Sequence, residues 1–173
     1  VFGFGLLLGC YELSQSEGLR RLQSIIGEVL LEVGPKTVEP DLDTLKRYCE
    51  TIGETNPVYF DIDAAKSFGY RSVIVPQSYL LTLFVPIVNE FFAKGFERLF
   101  SGLIRGVIHT ESHVVYYKPL FAEEKYVLRL ESERLEKKSG KKGDYYVWTL
   151  KTTVSSKEGE DLAYDQHTFF LKI

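Results

Sequence analysis

Only two cysteines, Cys10 and Cys49, occur in 173 residues. They are too few and too far apart for a disulfide framework or a cysteine-based zinc site. A basic excess is also missing. Twenty-one Lys and Arg against 24 Asp and Glu leave a formal charge of −3, without the strongly basic footprint that holds nucleic acid. No apolar run approaches the roughly 20 residues that cross a bilayer. The longest, residues 1–11, lacks the basic flank and small-residue cleavage pattern of a secretory signal. There is no low-complexity tract, and a 14% aromatic share argues against disorder. No HExxH or other metal-ligand spacing and no GxSxG nucleophile elbow occurs. These absences predict a reduced, cytoplasmic protein with no metal, no cofactor, no nucleic-acid partner and no membrane span.

The length suits one domain. Gly3, Gly5 and Gly9 imitate a dinucleotide loop, but no strand precedes them, so residues 1–11 read as an irregular apolar leader. From Gln15 to Val33, apolar residues recur at steps of three and four, predicting an amphipathic helix. Residues 1–33 are thus expected to form a leader and helical extension, and 34–173 one domain. Lys36 to Glu39 reads as a short extended piece. Asp41 is placed to cap a helix that Gly53 ends, and Asp61 or Asp63 to cap a shorter one before Gly69. Ser78 to Phe92 is apolar nearly all round, which predicts a core helix covered on almost every side, kinked or shortened by Pro86. After Gly102 the chain alternates in long β-rich stretches joined by short turns, predicting antiparallel strands. One buried helix followed by such strands predicts an α+β fold with a sheet wrapped about the helix.

Four places carry candidate chemistry. The turn at Gly53 to Asp61 holds Glu54 near Asn56 and Pro57, where a carboxylate can hold water on a rim or simply end a helix. Pro76, Gln77 and Ser78 open the buried helix, whose free amides can polarise a carbonyl, with Ser78 as an ordinary cap. His109 and His113 share a strand face only if no bulge intervenes, and His167 shares one with Phe169 and Leu171. Lys137, Lys138, Lys141 and Lys142 decorate a hairpin tip, protecting a sheet edge or attracting phosphates.

With these residues laid out, Gly53 to Pro76, the helix after it, and His109 to Glu131 together resemble MaoC-type hot-dog hydratases. The resemblance is strongest to their N-terminal FAS1-like dehydratase domain and runs from about Gly34 to Ile173. It implies a hot-dog fold, acyl-thioester substrates on coenzyme A or acyl carrier protein, and reversible hydration of a trans-2-enoyl group to an (R)-3-hydroxyacyl group. Two units are expected to pair across a shared sheet. Active members carry Asp after the Gly and His five residues on; those positions here are Glu54 and Tyr59. Imidazole exchanges protons near neutral pH, whereas a phenol is a donor and a poor base. The resemblance therefore implies an acyl-binding subunit, as a homodimer or beside a catalytic MaoC-type partner, with Asn56, Pro57, Pro76, Gln77, Ser78 and His109 lining the pocket. Alternatives are an independent hydratase using Glu54, a hot-dog thioesterase, and a non-catalytic binding or assembly module.

Overall fold

A computed structural model describes Glu17, Leu19, Arg20, Gln23 and Ser24, and residues 36–95, 104–141 and 143–172. The first five are helical. The rest of the expected helix at 15–33, and the leader at 1–11, lie outside the described residues.

The chain opens with β1 (Lys36–Val38) and α1 (Leu42–Ile52). Helix α1 starts where it does because the Asp41 carboxylate accepts the Thr44 amide at 2.8 Å. It stops at Gly53, whose left-handed φ of 72° lets its amide reach back to the Cys49 and Glu50 carbonyls. A 3₁₀ turn (Pro57–Tyr59) leads to α2 (Ile62–Ser67), capped by Asp61 on the amides of Asp63 and Ala64. A second 3₁₀ turn (Gln77–Tyr79) feeds α3 (Leu80–Glu90), which widens into a π turn at Phe91–Gly95. Four long strands follow: β2 (Gly106–Tyr116), β3 (Tyr126–Gly140), β4 (Gly143–Ser155) and β5 (Asp161–Lys172). The sheet order is β1-β3-β4-β5-β2, with every pairing antiparallel.

Alternation decides which face of the sheet meets α3. Leu128 and Leu130 of β3, Trp148, Leu150 and Val154 of β4, and Ala163, Phe169 and Leu171 of β5 are buried on one side. They pack with Leu80, Leu83, Phe84, Ile87 and Phe91 of the helical segment. Each large side chain removed from water contributes about 1.5–3 kcal/mol, so this seam dominates the stability. A five-stranded antiparallel sheet carrying one long helix is the expected α+β hot-dog fold.

One expectation needs correction. Helix α3 is not covered on nearly every side: Leu81 and Val85 are 42% and 47% exposed, beside exposed Thr82, Pro86 and Asn89. Apolar residues all round therefore bury one stripe and leave another open in the single chain. Pro86 does not end the helix, which continues to Glu90. The ring lies on the open side, where water can serve the carbonyl that loses its partner.

Candidate functional site

The candidate loop is held from within. Glu54 Oε1 accepts the Asn56 amide at 2.8 Å, and Asn56 Oδ1 accepts the Val58 amide at 3.2 Å. Pro57 occupies the first turn of the 3₁₀ segment, a position that needs no amide donor. Asn56 and Pro57 thus shape the turn, and Glu54 is drawn back onto the backbone. The Ile74 amide donates to the Val58 carbonyl at 3.2 Å, fixing this turn against the segment that enters α3.

That segment is tied on its other side as well. The Val75 amide donates to the Leu120 carbonyl and the Ala122 amide to the Val73 carbonyl, both within 2.9 Å. The result is a cavity of about 330 Å³ whose walls include Tyr59, Tyr70, Gln77, Tyr116 and Lys118. Tyr59 and Gln77 thus line the same cavity. Burial, with Glu54 as the next cause, pushes the Tyr59 phenol above its usual range. Tyr116, on β2, donates its hydroxyl to the Gln77 carbonyl at 2.8 Å, and its burial pushes that phenol higher still. Both rings are hydrogen-bond donors at neutral pH.

Ser78 is not the cap it was expected to be. Pro76 occupies the cap position of the 3₁₀ turn, and no side chain caps that terminus. Buried Pro76 presents exposed Gln77 and Ser78, whose amides have no acceptor among the described residues. Amides at a helix start carry partial positive charge and suit a carbonyl oxygen.

His109 belongs to a different cluster. The register of β2 on β5 shifts between His109 and Glu111, and Thr110 turns its hydroxyl onto the Thr168 carbonyl at 3.0 Å. This bulge splits the two histidines: His113 goes to the outer face beside Glu111 and Glu133, and His109 to the inner one. There His109 Nε2 lies 3.2 Å from Ser112 Oγ, which lies 3.4 Å from His167 Nδ1. His167 Nε2 stands 3.1 Å from Asp165 Oδ2, though out of hydrogen-bond alignment. Burial lowers the His167 imidazole to about 4 and raises the Asp165 carboxyl. Asp165, Ser112 and Tyr116 were not among the expected site residues. Period-two reading contained the signal for Asp165, because Asp165 and His167 interrupt the buried row of Ala163, Phe169 and Leu171.

Another depression, of about 670 Å³, lies by Glu39, Arg71, Lys118, Lys125 and Glu160. Three of its cations are matched by carboxylates: Arg71 with Glu124, Lys118 with Glu160, and Lys125 with Glu39. At the hairpin tip Lys137 pairs with Asp144 at 2.6 Å and Lys138 with Glu136 at 2.7 Å. Lys142 lies outside the described residues. These pairings favour a solvated hairpin over a phosphate site. Among the described residues no helix is long and apolar enough to cross a membrane.

The fold and this loop define a hot-dog protein of the MaoC-like type. The chain belongs to the family described as "FAS1-like, dehydratase domain region", whose model matches residues 24–164. It is 30% identical over 167 residues to 3-hydroxyacyl-thioester dehydratase X of Mycobacterium tuberculosis, covering 92% of this chain and 52% of that protein. It is 28% identical over 144 residues to a probable enoyl-CoA hydratase alpha subunit of Thermomonospora curvata, covering 77% of this chain and 45% of that one. The chain thus spans about half the length of these curated relatives. Among solved structures, a chain of the ChsH1-ChsH2 complex from Mycobacterium tuberculosis superposes with a TM-score of 0.63 at 18% identity, covering 90% of each chain.

Proposed function

We propose that this chain is the acyl-thioester-binding half of an (R)-specific enoyl-thioester hydratase or 3-hydroxyacyl-thioester dehydratase, with a catalytic hot-dog partner supplying the Asp and His. The observation that carries this reading is Tyr59, a half-buried phenol on the wall of a cavity that Gln77 also lines. Hydration removes a proton from water, adds the oxygen to the β-carbon and returns a proton to the α-carbon. A phenol held above its ordinary range does not take that first proton at neutral pH. The Gln77 and Ser78 amides suit the thioester carbonyl, which gains negative charge as water adds. Support for a partner comes from the family, from relatives about twice this chain's length, and from a similar chain found within a two-protein complex.

Independent hydration through Glu54 is the second reading. The Asn56 amide occupies one oxygen of its carboxylate within the turn, and Tyr59 and Gln77 line the cavity where Glu54 does not. The test is an assay of the purified chain with crotonyl-CoA and longer enoyl-CoA, beside a binding measurement with the same ligands. Binding with turnover about 10²–10⁴-fold below ordinary enzymatic rates is expected. Turnover of about 1–10³ per second by the chain alone overturns the accessory role, and release of free thiol replaces it with a thioesterase.

A further inference from the structure

The inner face of β5 carries a group of atoms whose chemistry the acyl-binding role does not use. Thr152 and Asp165 are fully buried and His167 nearly so, yet Thr152 Oγ1, both Asp165 oxygens and His167 Nε2 have no hydrogen-bond partner. Buried polar atoms without partners cost about 1–3 kcal/mol each, and folded proteins keep few. A chain selected for stability alone places apolar residues there, as it does at Ala163, Phe169 and Leu171. The polar group also has an exit to solvent. From Asp165 it runs through His167 and Ser112 to His109, which is exposed on β2. Strand β2 is paired with β5 on one side only among the described residues.

We propose that His109, Ser112, His167 and Asp165 form a proton relay, in which exposed His109 exchanges protons at the open edge of the sheet and buried Asp165 stores them. The donors and acceptors permit two consistent arrangements. With Asp165 ionised, His167 Nε2–H points to the carboxylate, the Ser112 hydroxyl to His167 Nδ1, and His109 Nε2–H to Ser112 Oγ. His109 then offers an unprotonated Nδ1 to the outside. When a proton arrives there, the Nε2 proton passes to Ser112, the Ser112 proton to His167 Nδ1, and the His167 Nε2 proton to Asp165. One proton has entered, Asp165 is neutral, both rings are neutral, and each imidazole has exchanged tautomers. Closing the last link takes only side-chain rotation, because His167 Nε2 and Asp165 Oδ2 are already 3.1 Å apart.

The surroundings suit such a store. Burial holds the carboxyl toward its neutral form, while the charges of His109 and His113 pull the other way. Strand β4 contributes Thr152 opposite Asp165, and β2 contributes Ser112 opposite His167, with Tyr116 further along. Helix α3 turns Phe84 to His167, ring centroids 6.2 Å apart. The helix's one carboxylate, Glu90, is engaged with Lys36 of β1 at the far edge of the sheet. Use of the relay in catalysis rests on the hydratase reading, in which the reaction needs one proton removed and one returned. The relay itself does not depend on that reading.

The test uses nitrogen NMR of the two rings in the full chain, with the infrared carbonyl band of a protonated carboxyl, across pH 4–8. In the wild type the His109 tautomer is expected to change together with the Asp165 band. In Ser112→Ala the band still titrates but the His109 tautomer no longer follows it. In Asp165→Asn the tautomer stops responding. An unchanged His109 response in a folded Ser112→Ala protein overturns the relay, as does a wild-type carboxyl band that never varies. Failure of the chain to bind crotonyl-CoA removes the hydratase reading and leaves these spectra unaffected.

Discussion

The Tyr116 hydroxyl donates to the Gln77 carbonyl at 2.8 Å, joining the edge strand β2 to the turn that starts α3. The two residues are 39 positions apart, so the bond fixes tertiary geometry and not local structure. Tyr116→Phe removes the hydroxyl and keeps the ring. Gln77 is exposed, so water can replace the lost donor, and a stability loss of about 0.5–1.5 kcal/mol is expected in urea unfolding. A loss of several kcal/mol would show that the bond holds more of the fold than this exposure suggests.

The local features of this fold were readable from neighbouring residues. Asp41, Gly53 and Asp61 act within a few positions of themselves, so caps and stops follow from the residue types alone. The β3 row of Tyr126, Leu128 and Leu130 likewise announces its buried face. What could not be read depends on distant chain segments. The bulge at Thr110 exists only relative to β5, and it separates His109 from His113. Ser112 meets His167 across 55 positions. Ser78 failed as a cap because buried Pro76 had already taken that position, its side chain lacking any acceptor. The open stripe of α3 is a property of three-dimensional packing that composition does not record.

Trp148 is 1% exposed, and its indole Nε1–H donates to the Ser132 hydroxyl at 2.7 Å. Ser132 is fully buried between β3 neighbours, so no water replaces it easily. Ser132→Ala removes this acceptor while adding no bulk. The expected loss is about 1–3 kcal/mol, the penalty for a buried donor deprived of its acceptor. The measurement is denaturant unfolding, with tryptophan fluorescence reporting the altered indole environment.

The double substitution Glu54→Asp and Tyr59→His restores the residue types that active MaoC-type members carry. Shortening Glu54 withdraws its carboxylate by about one methylene, and the imidazole titrates near neutral pH where the phenol does not. If the cavity is otherwise competent, hydration of crotonyl-CoA is expected to rise by about 10²-fold or more. Tyr59→Phe, which removes the hydroxyl without adding a base, is expected to give no such rise. Equal rates for the double variant and wild type, with crotonyl-CoA binding intact, would show that the loop alone does not determine activity.

His167 and Asp165 act on stability in opposite directions as pH changes. His167 has its folded value lowered from 6.5 to about 4, so between those values the unfolded chain binds the extra proton and the folded one does not. Its contribution is therefore present above 6.5 and is lost as pH falls toward 4, a slope that sums to about 3 kcal/mol. Asp165 has its folded value raised above 3.8, so the folded chain keeps a proton that the unfolded chain releases. That contribution is present below 3.8 and is lost as pH rises through the folded value. His167→Gln is expected to flatten the fall in stability between pH 6.5 and 4. Asp165→Asn is expected to stabilise the protein at neutral pH, where the buried carboxyl is under most pressure to ionise, and to leave the His167 slope in place. Denaturant midpoints collected from pH 4 to 8 check both, and a His167→Gln curve parallel to wild type would mean that the folded and unfolded chains bind a proton at this ring equally well.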